Sequence, residues 1–255
     1  MTRRIAFINE KGGVGKTTLA VNVAAFFAQK RRQRVLLVDL DTQGHAAKTL
    51  GVDVRAGGAT VFDLLTRPEV DLSGVTRPTA IENLWLVPAW KQMAEFPQRA
   101  AAMSEPTRLL ARKLESADQR YDVVVFDAPP SYGLVTTNVL LAAEEIVIPV
   151  ATTYLALDGC AEMVATVERV SQEFGHARLR VTQIVPTLYR KTQMSDEIVE
   201  KLKSHFPRRV TEPMSLNVQI DEAQSHGKTI WEYAPWSRGA TLLQTVAERV
   251  ERAAR

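Results

Sequence analysis

Cysteine is nearly missing from this chain: Cys160 is the single one in 255 residues, which excludes a disulfide framework, a thiol pair for a metal and a redox couple. A reducing cytoplasm suits such a composition. Long apolar runs are missing too. No stretch approaches the roughly 18 residues of a membrane span, and residues 1–8 are too short in apolar length for a signal peptide. Neither sign of charge dominates, since 32 Lys and Arg against 29 Asp and Glu leave a net charge of +3, a balance that permits nucleic acid without demanding it. The four histidines, at positions 45, 176, 205 and 226, have no metal-ligand spacing, and the chain carries no internal repeat.

What is present is a 45 % hydrophobic chain long enough for a full core, which fits one domain over residues 1–255 better than two. Short β-branched runs alternate with longer segments of helical period, the pattern of an α/β fold with a mostly parallel twisted sheet flanked by helices. Strands are expected over residues 4–9, 35–40, 84–88, 122–127, 145–150 and 180–185, most of them apolar throughout as strands buried on both faces are. A helix is expected over residues 17–29, with Leu19, Val23, Phe26 and Phe27 on one face and the cations Lys30, Arg31 and Arg32 at its end. Residues 51–82 hold turn formers and predict connections with one short helix near 61–65. Ser195 is expected to cap a further helix, and a last one is expected over residues 241–253.

The most informative segment is Glu10-Lys11-Gly12-Gly13-Val14-Gly15-Lys16-Thr17-Thr18. A buried strand, three glycines and a helix opening with Lys-Thr-Thr present backbone N–H groups and a helix N-terminus to an anion, and phosphate is the obvious one. Glycines allow the backbone to curl at positive φ and to come close to the phosphates. Lys16 adds a positive charge for the β- and γ-phosphates, and Thr17 a hydroxyl for Mg²⁺. The binding loop is therefore assigned to Gly12, Gly13, Val14, Gly15, Lys16, Thr17 and Thr18, with ATP and Mg²⁺ as ligands. A second feature is a run of four apolar residues, Val123 to Phe126, ending in the carboxylate of Asp127, suited to hold Mg²⁺ through water. A third is Asp39 and Asp41 at the C-terminal end of the expected strand 35–40, where ligands of open parallel sheets bind.

The loop departs from the common spacing, with Glu10 where the first glycine usually stands and Lys11 directly before the glycine pair. In this it resembles the deviant Walker A motif of the ParA and MinD superfamily of P-loop ATPases. The segment Asp39-Leu40-Asp41-Thr42-Gln43-Gly44 is similar to that family's Asp-x-Asp-Pro-Gln-Gly, with Thr42 in place of proline. Similarity to ParA and Soj partition ATPases continues through residues 154–159, 225–228 and 237–240 and is weakest over 51–82. The resemblance implies that Lys11 reaches across an ATP-bound homodimer to the partner's phosphates, that Asp41 positions the attacking water, and that Asp39 belongs to the Mg²⁺ environment. Lys11, Lys16 and Asp41 thus form the implied catalytic set, and Thr17, Asp39 and Asp127 the implied metal set. No acidic residue follows Asp127 directly, which predicts slow hydrolysis. The resemblance also implies non-specific binding to nucleoid DNA, a ParB-like or other stimulating partner, and segregation of plasmid or chromosome DNA or positioning of a cellular cargo.

At the DNA step the sequence departs from its relatives. Where many carry two arginines in Pro-Arg-Asn-Val-Arg, this chain reads Ser215-Leu216-Asn217-Val218-Gln219. Arg190, Lys191, Lys201, Lys203, Arg208 and Arg209 are the remaining candidates for a phosphate-binding patch. A MinD-like membrane-cycling ATPase is the alternative, disfavoured because residues 245–255 offer no large apolar face to insert into lipid. Iron–sulfur carriers need paired cysteines, so Cys160 is expected to pack as a small apolar side chain.

Overall fold

The structure, a computed structural model, describes residues 2–215 and 217–253. Leu216 of the arginine-free segment and the last two residues of the tail lie outside the described residues. In chain order the strands are β1 Arg3–Phe7, β2 Val35–Asp39, β3 Arg77–Pro78, β4 Leu84–Val87, β5 Val123–Asp127, β6 Glu145–Ala151 and β7 Arg180–Thr187. They form one sheet in the order β3-β4-β2-β5-β1-β6-β7, parallel throughout except where β3 runs antiparallel on β4 at the edge. The expected α/β class holds.

The helices are α1 Lys16–Arg31, α2 His45–Thr49, α3 Val61–Thr66, α4 Leu72–Val75, α5 Phe96–Ala100, α6 Leu109–Lys113, α7 Leu134–Ala142, α8 Ala156–Glu173, α9 Gln193–His205, α10 Val218–Ser225, α11 Ile230–Tyr233 and α12 Arg238–Arg252. One face of the sheet is covered by α1, α2 and α10 to α12, the other by α3 to α9. Two covered faces explain why β2 and β5 can be apolar at every position before their terminal aspartates: no side of either strand meets water. Arg3 stitches the bottom of this assembly. It forks onto Glu145 of β6 at 2.6 and 2.7 Å and also donates to the carbonyls of Val250 and Glu251 at the end of α12.

Several elements differ from the sequence-based expectation, each for a tertiary reason. α1 buries nearly every residue from Leu19 to Ala28 rather than one stripe, because α2, α11 and α12 pack on its outer side. Trp231 of α11 shows this, with its indole N–H donating to the Asn22 carbonyl at 3.0 Å and its ring 6.2 Å from that of Phe26. The helix expected to be capped by Ser195 starts at Gln193, because Thr192 accepts the Ser195 backbone N–H and is the true cap. Ser195 itself is buried inside the first turn. Ser237 likewise caps α12, which starts at Arg238, three residues ahead of the expected Thr241. Residues 51–82 hold α4 and the edge strand β3 besides the expected short helix α3, which opens with a Thr60–Asp63 capping box. Cys160 is buried in the α8 face, and burial pushes its thiol up to about 12.

Candidate active site

β1 ends at the centre of the sheet, between β5 and β6, and releases the chain into the glycine loop. Asn9 fixes the exit: its side-chain amide donates to the Pro149 carbonyl at 2.7 Å while its oxygen accepts the Lys11 N–H at 2.9 Å. Gly13 and Gly15 then take φ of 71° and 87°, the left-handed region that only glycine enters freely. A Cβ would have space at both, so backbone conformation rather than crowding requires glycine there. Gly15 is also the N-cap of the 16-residue α1 and offers no side-chain oxygen, which leaves the first N–H groups of α1 for an incoming anion. Thr187, at the end of β7, holds the loop from the other side with a 2.9 Å bond to the Val14 carbonyl.

The loop opens on a cavity of about 560 Å³, lined on one side by Gly12, Gly13, Gly15, Lys16, Thr17 and Thr18 and on the other by residues of α10 and the segment before it. Lys16 is only 6 % exposed, and its ammonium donates to the Lys11 carbonyl at 2.9 Å. Burial lowers its pKa, opposed by the charges of Asp127 and Asp41.

Parallel pairing of β2 with β5 sets Asp39 beside Asp127 at the C-terminal edge of the sheet. Both side chains are 0 % exposed. Burial raises the pKa of each, and for Asp39 the neighbouring charge of Asp127 adds to the rise. The Thr17 hydroxyl beside Asp127 and the Lys16 charge act in the opposite sense. One oxygen of Asp39 accepts the Asp41 backbone N–H at 2.9 Å, whereas its other oxygen and both oxygens of Asp127 have no hydrogen-bond partner. Buried carboxylate oxygens without donors are costly, and a divalent cation is the group that satisfies them. The donor set is all oxygen, with Thr17 adjacent, which fits Mg²⁺. Asp41 itself lines the cavity, its carboxylate held by the Gln43 N–H at 3.0 Å.

Of the other sequence-derived residues, Val14 is buried under the loop and presents only backbone. Lys11 is exposed and does not line the cavity; its ammonium reaches Thr153 Oγ1 at 3.2 Å, beside the exposed Tyr154 and Leu155. The six basic candidates fall into two groups rather than one patch. The chain runs along β7 from Val210, paired with Ile184, to Ser215, paired with Tyr189, so Arg208 and Arg209 lie toward the start of β7 while Arg190 and Lys191 lie beyond its end. α9 separates the two groups, a helix of 13 residues and so about 20 Å long. Lys201 and Lys203 sit near its far end, where Lys203 is paired with Glu200. Nearness in sequence does not become nearness in space when a strand and an antiparallel helix intervene.

Three contributors carry no motif. Asn9 and Thr187 brace the loop, and Gln224 of α10 donates to the Thr18 hydroxyl at 2.7 Å, tying the far wall of the cavity to α1. Asn9 borders the glycine run and is the one a reader could find from position alone.

The model of the AAA domain matches residues 2–181. The sporulation initiation inhibitor protein Soj of Bacillus subtilis is 37 % identical over 252 residues, covering 98 % of each chain. The chromosome-partitioning ATPase Soj of Thermus thermophilus is 40 % identical over 250 residues, 97 % of this chain and 95 % of that one. Among solved structures, cobyrinic acid a,c-diamide synthase from Mycobacterium smegmatis with bound ATP analog and magnesium superposes with a TM-score of 0.85 at 28 % identity, covering 100 % of this chain and 96 % of that one. With glycine loop, buried aspartate pair and full-length similarity in agreement, this chain belongs to the ParA/Soj family of partition ATPases within the ParA/MinD superfamily.

Proposed function

We propose that this protein, as one ParA-type domain over residues 1–255, binds ATP and Mg²⁺, dimerises on ATP, binds nucleoid DNA without sequence preference in the cytoplasm, and uses slow hydrolysis to segregate DNA or position a cargo. The observation that carries the reading is the arrangement around the cavity. Lys16 and the free amides of α1 stand on one side, Asp41 stands on another, and a buried aspartate pair with three unpartnered oxygens lies beneath Thr17.

The residues divide the work as follows. The amides of Gly13 to Thr18 and the Lys16 ammonium grip the triphosphate and stabilise charge that builds on it as the γ-phosphoryl group leaves. Thr17, Asp39 and Asp127 hold Mg²⁺, which when bound neutralises phosphate charge. Asp41 orients the attacking water from the cavity wall, and Asp39 steadies Asp41 by accepting its backbone N–H. Lys11, exposed at the loop edge, engages the nucleotide of a second subunit. Loss of the γ-phosphate removes the contact that favoured the closed dimer, a population shift between two states.

Calorimetric titration with magnesium-ATP tests the nucleotide reading, and absence of saturable binding would overturn it. The Asp41→Ala variant is expected to bind ATP but to persist as a dimer on size exclusion; a wild-type hydrolysis rate in that variant refutes the role given to Asp41. DNA retention on a filter, with and without ATP at low salt, tests the nucleoid step. The MinD-like alternative draws little support from α12, whose apolar residues Val246, Ala247 and Val250 are buried against α1 rather than offered to lipid. Clear ATP-dependent pelleting with liposomes would reverse that ranking.

A further inference from the structure

Behind the turn that carries Asp41 lies a second concavity, of about 340 Å³, lined by Gly44, Lys48, Asp53, Arg55 and Trp90 among others. Two cations line it, Lys48 and Arg55, and a third, Lys91, stands at the Trp90 ring that forms part of its wall. The Arg55 guanidinium and the Lys91 ammonium both stand 5.8 Å from the centre of the Trp90 ring, and Lys48 lines both this groove and the nucleotide cavity. All three are exposed, and among the described residues none has a carboxylate at ion-pair distance. The one acid in the groove, Asp53, spends an oxygen on the Arg55 backbone N–H at 2.8 Å rather than on the guanidinium. Two like charges on one ring with no counter-ion make a site of positive potential waiting for an anion.

The groove also touches the machinery. Gly44 ends the turn 41–44, with its N–H on the Asp41 carbonyl at 3.1 Å. Its φ is 59°, and a Cβ there would stand 3.0 Å from the Ala89 carbonyl oxygen and 3.2 Å from the Trp90 ring. The turn is thus packed hard against Trp90, so a ligand that shifts Trp90 shifts the backbone on which Asp41 rides.

We propose that this groove is a docking site for an acidic peptide segment of a partner protein, and that its occupation changes the rate of ATP hydrolysis through Trp90 and Gly44. A peptide is favoured over duplex DNA because the groove is concave and small, whereas a duplex presents its phosphates along a convex, extended surface that a few recessed side chains cannot follow. The coupling half rests on the proposed role of Asp41; the docking half does not.

The test uses fluorescein-labelled hexaglutamate and the nucleotide-free protein at low salt, read by anisotropy. Wild type is expected to bind saturably. The double variant Arg55→Glu, Lys91→Glu is expected to bind at least about tenfold more weakly, while Lys201→Glu, a charge reversal on α9, leaves binding nearly unchanged. Saturating hexaglutamate is then expected to alter hydrolysis by wild type by about fivefold or more, and to leave the double variant unaffected. No saturable binding, equal binding by the double variant, or equal loss with Lys201→Glu overturns the docking site. So does a short duplex DNA of random sequence that binds more tightly than hexaglutamate and is lost in the same variant. Binding without any change in rate overturns the coupling. Should the double variant not fold, Arg55→Ala carries the comparison, with a several-fold loss expected. Magnesium-ATP titration of wild type, run alongside, fails only if the nucleotide reading itself is wrong.

Discussion

The two walls of the nucleotide cavity are built on different principles. Residues 12–18 form one wall from consecutive positions, and each contribution is local: positive φ at Gly13 and Gly15, an uncapped helix start, a lysine and a threonine on the first turn. The opposite wall comes from α10 and the strand end at Thr187, some 170 to 210 residues further along. It is held by single side-chain bonds such as Gln224 to Thr18. A wall encoded in adjacent backbone is expected to fail abruptly when changed, because every group serves the same anion. One assembled from distant contacts is expected to fail by degrees.

Four experiments press on that contrast. The largest effect is expected from Lys16→Ala, which removes the one buried lysine among the described residues, at the start of α1 on the cavity wall; calorimetry should show magnesium-ATP affinity reduced by about 100-fold or more, on the order of 3 kcal/mol. Asp127→Asn comes next and separates function from stability. Removing a fully buried carboxylate should stabilise the ligand-free protein by about 1–3 kcal/mol in denaturant unfolding, while magnesium no longer strengthens ATP binding.

The same pair gives a pH signature. The folded-state pKa of Asp127 is pushed up to about 7, above that of the unfolded chain, so stability is fully present below the ordinary carboxylate range and declines as pH rises through about 7. The melting temperature of ligand-free protein should therefore fall between about pH 4 and 7 and level off above, and Asp127→Asn should flatten much of the slope. A melting temperature that rises over that interval breaks the assignment. At the small end, Gln224→Ala should cost about 1 kcal/mol of stability, the worth of one hydrogen bond, and weaken ATP by only a few-fold, since α10 keeps its packing against α2 and α11. A loss as large as that of Lys16→Ala would show that the far wall is no less critical than the loop.

Much of this site was legible in the sequence because it is local. The glycine loop, the helix it opens, and the aspartates ending β2 and β5 are each fixed by a few consecutive residues whose backbone or hydropathy leaves little choice. The caps were less legible: Thr192 and Ser237 begin their helices ahead of the expected positions, since a single hydroxyl decides a helix start and several compete in each segment. The basic residues of 190–209 show the opposite failure, adjacent in sequence yet divided by α9 in space. Trp90 and Arg55, 35 positions apart, had no pattern at all to link them.

By itself, then, the sequence determined the α/β class, the anion-binding loop and the identity of three carboxylates, because periodicity, glycine conformation and charge act over short stretches of chain. Only the tertiary structure decided that Asp39 and Asp127 are neighbours with unpartnered oxygens, that α10 closes the cavity, and that Trp90 backs the Asp41 turn. Those facts depend on strand order and helix packing, which bring together residues that no local rule relates.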